Sequence, residues 1–215
     1  YSQSIIITGE GGAGKTEAMK ICLRLFGELA TAKTAKDADG DVDVAEKLMR
    51  TNPIMEPIGN AKTVRNDNSS RFGKLFEIQF NASGVILGAS TTAYLLEKPR
   101  VCAHAHGERN YHVFYMLLKA SPEFRQPLHL VSEGDANQEE WETHRICKRA
   151  QGGTAERVIW MDKRMNQGDE AAFNHMQDAL DSLGVESSLG PKSKEFWTLI
   201  AIVIHIGGMR SRGRS

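Results

Sequence analysis

Hydrophobic and polar positions change period several times along the chain, and each change predicts an element. Residues 4–8, Ser-Ile-Ile-Ile-Thr, form a continuous β-branched run closed by Gly9. That is the pattern of a strand covered on both faces in the middle of a sheet. From Lys15 the period lengthens. Ala18, Cys22, Leu25 and Leu29 make one helical row and Met19, Leu23, Phe26 and Ala30 a second beside it, so wide an apolar face predicting a deeply packed helix. Residues 31–43 are small, polar and acidic, with Gly40 and no apolar row, and are expected to form an exposed flexible loop within one domain.

Asn52 followed by Pro53 suits an N-cap and first helical position, while Pro57 removes a backbone bond one turn later; this helix should be short or kinked. Phe76, Ile78 and Phe80 alternate with Glu77 and Gln79, residues 81–84 carry turn chemistry, and residues 85–96 resume an extended apolar pattern. The expectation is a strand hairpin over residues 75–96. Residues 110–119 and 170–183 read as amphipathic helices, and residues 192–206, with Trp197 in an apolar run, as a buried one. No repeat appears, and residues 133–154 are loop-like.

Composition places these elements in an ordinary globular chain. The 215 residues are 40% hydrophobic and 25% charged, which suits one domain or part of one and excludes global disorder. Lys and Arg number 27, as do Asp and Glu, so no net field points to nucleic acid or an anionic membrane, apart from the short tail Arg210, Arg212 and Arg214. Cys22, Cys102 and Cys147 are far apart and odd in number, which fits buried thiols in a reducing compartment rather than a disulfide framework or zinc site. The longest apolar run, residues 196–206, is well short of the roughly 20 residues of a membrane span. The reading is a cytoplasmic protein without membrane insertion. An apolar run close to Tyr1 without an initiator Met, and an end just after an apolar helix, give the expectation of a fragment.

Candidate chemistry centres on Gly9-Glu10-Gly11-Gly12-Ala13-Gly14-Lys15-Thr16, which fits G-x-x-x-x-G-K-[ST] between an expected strand and an expected helix. Glycines let backbone N–H groups close around phosphate oxygens, the helix N-terminus adds positive potential, Lys15 neutralises charge and the Thr16 hydroxyl can ligate Mg²⁺. Gly9, Gly11 and Gly14 also satisfy the dinucleotide fingerprint G-x-G-x-x-G. That reading requires an acidic residue about 20 positions on at the end of a second strand. Asp37, Asp39 and Asp41 lie instead in a polar stretch with no apolar strand before them, and Lys15-Thr16 would go unexplained.

Gly9 to Glu17 resembles the nucleotide loop of the myosin motor domain, and Asn60 to Lys74, Asn-Ala-Lys-Thr-Val-Arg-Asn-Asp-Asn-Ser-Ser-Arg-Phe-Gly-Lys, resembles its switch I. Further similarity runs through residues 95–98, residues 107–115 and, more weakly, 205–207. The resemblance implies a partial motor domain over residues 1–215, of α/β class and P-loop NTPase type, with an incomplete mixed sheet flanked by helices. Its P-loop would be residues 9–16 and its switch I residues 66–73. It implies ATP and Mg²⁺ as cofactors, with Gly9, Glu10, Gly11, Gly12, Ala13, Gly14, Lys15, Thr16 and Glu17 around the nucleotide. Thr16 and Ser70 resemble the two hydroxyl ligands of Mg²⁺, and Lys15 the lysine that neutralises phosphate. Asn66 and Ser69 resemble groups facing the γ-phosphate and attacking water, and Arg71 an arginine that pairs with a switch II glutamate. As partners it implies actin filaments and the remainder of the motor domain, and as location the cytoskeleton.

Where this chain has Gly11 the family usually has serine, so altered hydrolysis with retained nucleotide binding is expected. Pro57, Pro99 and Gly208 are further departures. No segment resembles switch II, Asp-x-x-Gly-Phe-Glu, so the isolated chain is expected to lack the closed, hydrolysing state. Two alternatives stand beside the motor: a nucleotide-binding or interaction module without hydrolysis, and a different P-loop ATPase in which residues 158–162 form a strand ending in Asp162 as a Walker B aspartate. Isolated from the first motif, residues 66–71 would read as a polar turn. Asn68 and Asn81 head glycosylation sequons that a cytosolic protein leaves unused, and His104 with His106 lacks a third metal ligand nearby.

Overall fold

A computed structural model describes residues 2–34, 44–131, 168–183 and 191–208. Helix α1 (Lys15–Thr34) begins at the loop lysine, and Glu17 in its first turn complements the positive N-terminal end. The helix continues through residues 31–34, so that part of the expected 31–43 loop is helical; residues 35–43 lie outside the described residues. Helix α2 (Val44–Arg50), which the apolar pattern did not single out, packs on α1.

The two apolar rows of α1 part company. Leu23 and Ala30 are buried, whereas Ile21, Leu25 and Leu29 are at least half exposed. The Met19–Ala30 row holds the buried residues, and its Phe26 meets Phe80 edge-to-face at 6.2 Å. The expectation of a deeply packed helix is corrected to one packed along a single stripe.

Residues 4–8 form no strand, and Ile6 is 86% exposed. A strand covered on both faces needs a ladder on each side, and the strands of the described residues pair only with one another. They make two separate antiparallel sheets, β1 (Asn60–Ala61) with β2 (Ser69–Ser70) and β3 (Gly73–Phe80) with β4 (Ile86–Tyr94). The mix of helices and small sheets is α/β in the coarse sense, but the single mixed sheet expected above does not form among these residues.

Helix α3 (Asn52–Gly59) has Thr51 at its N-cap, with Asn52 and Pro53 inside the first turn. Asn52, expected as the cap, instead accepts a hydrogen bond from Lys74 Nζ at 3.0 Å. Pro57 falls near the end of this eight-residue helix, and the Asn60 N–H closes the last turn on the Glu56 carbonyl. A Cβ at Gly59 would overlap Cε1 and Cδ1 of the Phe72 ring, so only glycine lets β3 begin this close to α3. In the turn between β3 and β4 the Asn81 side chain accepts from the Ser83 and Val85 N–H groups at 3.0 and 2.9 Å, an Asx turn.

The core is helical. Helices α4 (His112–Leu118), α6 (Asp169–Ser182) and α7 (Pro191–Gly208), with the short α5 (Pro122–Arg125), surround Met116, Leu117, Met176, Trp197 and Ile204, all fully buried. Trp197 packs its ring against Phe124, Phe173 and Phe196, and its indole N–H donates to Gln177 Oε1 at 3.0 Å. This is how a large aromatic is buried without an orphaned donor. Ala61 bridges to Tyr111 and the Arg109 N–H donates to the Lys62 carbonyl at 3.0 Å, so the short sheet β1–β2 is moored to this core.

Candidate functional site

Residues 9–14 are exposed and lead straight into α1. Gly12 and Gly14 have φ of +83° and +84°, a left-handed backbone that costs other L-residues roughly 1–2 kcal/mol. A Cβ at Gly14 would meet nothing within 4 Å, so the glycine serves the backbone turn rather than close packing. The turn is closed by the Ala13 N–H on the Glu10 carbonyl at 3.2 Å, and the Ala18 N–H already bonds Gly14 O. Lys15 folds back over the loop, its Nζ donating to the Gly9 and Glu10 carbonyls, each at 2.6 Å. The first N–H groups of α1 have no intrahelical acceptor. Thr16, the second residue of the helix, is half-buried.

The second motif hangs from the end of α3. Asn60 and Ala61 pair with Ser70 and Ser69, and the intervening loop is pinned by Thr63 and Asn66, which exchange backbone hydrogen bonds of 2.9 and 3.3 Å. The Asn66 side chain accepts from the Asn68 N–H at 2.9 Å, and Asn60 Nδ2 donates to Asn68 Oδ1 at 3.0 Å. This loop faces the glycines. A Cβ at Gly11 would stand 3.6 Å from Ser69 Oγ, and one at Gly12 would stand 3.6 Å from Asn66 Nδ2. Arg65 reaches Glu10 at 4.0 Å, but both are so exposed that the pair contributes little. Ser69 is buried and Ser70 exposed, and strand alternation puts them on opposite faces of β2.

Behind β2 lies a chain of charges. Arg71 donates from Nε to Glu97 Oε2 at 2.6 Å and from its terminal nitrogen to Ser69 Oγ at 3.2 Å. Arg100, itself buried, donates to the same Glu97 oxygen at 2.8 Å and to Glu108 Oε2 at 2.9 Å. Partial burial opposes ionisation of Glu97, but hydrogen bonds from Arg100 and Arg71 outweigh it and hold the carboxyl below its usual range. The Tyr111 hydroxyl donates to the Glu97 carbonyl at 2.8 Å. His112 is wholly buried beside this segment. Desolvation, reinforced by the positive charge of Arg109, pushes its imidazole well below the ordinary value, against a hydrogen bond with the Asp67 backbone.

The family described as "Myosin head (motor domain)" matches residues 1–214. The chain belongs to that family. Myosin-I heavy chain of Dictyostelium discoideum is 38% identical over 212 residues, covering 97% of this chain and 8% of its own length. Unconventional myosin-Vb of Mus musculus is 41% identical over 210 residues, covering 97% and 10%. Myosin-1 of Arabidopsis thaliana reaches 52% over 132 residues, 61% of this chain and 10% of that protein. This myosin-head chain thus spans about a tenth of the length of these relatives.

Of the residues singled out from the sequence, the structure brings Gly11 and Gly12 to Ser69 and Asn66, seats Lys15 over Gly9 and Glu10, and sets Arg71 against Ser69. Glu17 instead points along the helix to Lys20 at 2.9 Å. Asp162 lies outside the described residues, as does Cys147. Cys102 is exposed, correcting the expectation of buried thiols. Glu97 was missed: 26 residues separate it from Arg71, and neither spacing nor period links the two. No helix among the described residues is long and apolar enough to cross a membrane.

Proposed function

We propose that this chain is the nucleotide-phosphate-binding part of an actin-based myosin motor of P-loop NTPase type, whose parent couples Mg-ATP hydrolysis to movement along actin filaments. One observation carries the reading. The glycine loop and the polar loop after β1, about fifty residues apart in sequence, face each other through Gly11 with Ser69 and Gly12 with Asn66. Two left-handed glycines just before a 20-residue helix, whose first N–H groups lack intrahelical acceptors, suit a triphosphate in kind. The Lys15 ammonium would exchange its two carbonyl acceptors for phosphate oxygens, and Thr16 would supply a hydroxyl ligand to Mg²⁺; Ser70, exposed and on the opposite face of β2 from Ser69, would have to turn toward the glycine loop to supply the second. The bound cation would screen charge on the transferring phosphoryl group, while Asn66, Ser69 and Arg71 orient the reacting groups.

The binding half of this reading is tested by titrating the chain with a fluorescent ATP analogue and Mg²⁺. Replacing Lys15 by alanine should weaken binding at least about tenfold, the scale of one charge-assisted contact. Equal affinity in the variant would refute the assignment. The motor half is tested by actin-activated ATPase of the parent protein.

A second reading applies to the 215 residues alone: a nucleotide-binding module that does not turn over. The chain contains no Asp-x-x-Gly-Phe-Glu run, and Arg71 is engaged by Glu97. Steady ATP turnover by the pure 215-residue chain, abolished in Lys15→Ala, would dispose of this second reading.

A further inference from the structure

Resting on the nucleotide reading above, we infer that Glu97 is a positioning residue, which sets the Ser69 hydroxyl toward the glycine loop by fixing the Arg71 guanidinium. The geometry is a relay of three side chains. Glu97 Oε2 accepts from Arg71 Nε at 2.6 Å, and the same guanidinium donates from its terminal nitrogen to Ser69 Oγ at 3.2 Å. Ser69 Oγ in turn stands 3.6 Å from the point where a Cβ would leave Gly11.

Guanidinium is planar and its donors have a fixed fork, so anchoring Nε sets the direction of the terminal nitrogens. With one lone pair of Ser69 Oγ accepting from Arg71, the hydroxyl's own proton is directed elsewhere. The anchor is itself held. The Glu97 N–H donates to the Arg71 carbonyl at 3.0 Å, Tyr111 holds the Glu97 carbonyl at 2.8 Å, and Arg100 shares the Oε2 atom at 2.8 Å. Arg100 does not depend on Glu97 alone, because Glu108 and the Arg109 carbonyl also accept from it at 2.9 and 3.1 Å. A change at Glu97 therefore bears on Arg71 without stripping a buried cation of its partners.

Glu97→Gln keeps the shape and an acceptor but removes the charge that grips the fork. The test compares Mg²⁺-dependent affinities for ADP and for a non-hydrolysable ATP analogue in the full chain. Subjects are the unaltered protein, Glu97→Gln, Ser69→Ala, the double variant and Asp169→Asn. The last removes the charge from the 2.8 Å pair of Arg109 with Asp169 on α6, two side chains that are not members of the relay, and controls for stability.

The expected result is that Glu97→Gln and Ser69→Ala each lower the preference for triphosphate over diphosphate about tenfold, and that the double variant loses no more than either single one. Asp169→Asn should keep the preference even where it lowers the melting temperature. An unchanged preference in Glu97→Gln, or fully additive losses in the double variant, overturns the relay. Failure of the unaltered protein to bind either nucleotide overturns the nucleotide reading, and the inference with it.

Discussion

At Gly11 the sequence resemblance leads to the expectation of a serine, and the structure shows what a Cβ there would meet. Its Cβ would sit 3.6 Å from Ser69 Oγ, ordinary contact, and Gly11 is not among the glycines with left-handed φ. Gly11→Ser should therefore leave thermal stability within about 0.5 kcal/mol, the range of a surface change. Under the function proposed above, it should place a hydroxyl beside the polar loop and raise the rate of ATP hydrolysis. A rate unchanged or lowered in single-turnover measurements would count against Gly11 as the residue that slows the step. Gly12 is different, since its φ of +83° would strain any side chain, although its Cβ would meet Asn66 only at ordinary contact.

Elements place these residues, and one contact sets how α3 hands over to the sheets. Gly59, the last residue of α3, lies so close to Phe72 that no Cβ fits between them. Gly59→Ala must displace the ring or the helix end, an overpacking cost of about 1–3 kcal/mol. Chemical denaturation should show that loss, together with weaker nucleotide binding, because Arg71 donates its backbone N–H to the Gly59 carbonyl at 2.9 Å. A variant as stable as its parent would mean that the strand and helix can part freely. Helix legibility at this scale was good where a polar face is solvated on one side, as in α6. It was poorer for α1, because two adjacent apolar rows look alike in sequence and only the neighbours decide which is buried.

At the scale of the whole molecule, the buried His112 ties stability to pH. Its imidazole is neutral when folded, held well below its ordinary value by burial and by Arg109. In the unfolded chain it titrates near 6.5. The unfolded state thus binds more protons below that pH, and stability present above about pH 6.5 is lost as the pH falls. Urea midpoints measured between pH 7.5 and 5.5 should decline toward acid, and His112→Phe, which removes the titration while keeping volume, should flatten the trend. A slope that survives this replacement would move the cause to other groups.

The two polar motifs and their family likeness were legible in the sequence because they are local: turn glycines, a lysine at a helix start and an Asx-rich loop are read within a few residues. So were the helices of the core, whose periodicity needs no partner to be visible. Residues 4–8 show the limit, since a β-branched run becomes a strand only when other strands supply its ladder. Glu97 shows it again at side-chain level. Which carboxylate meets Arg71 depends on β4 returning beside β3 and on the bend after Tyr94, where Leu95 takes a φ of +52°. Contacts across 26 residues are set by packing, and periodicity carries no record of them.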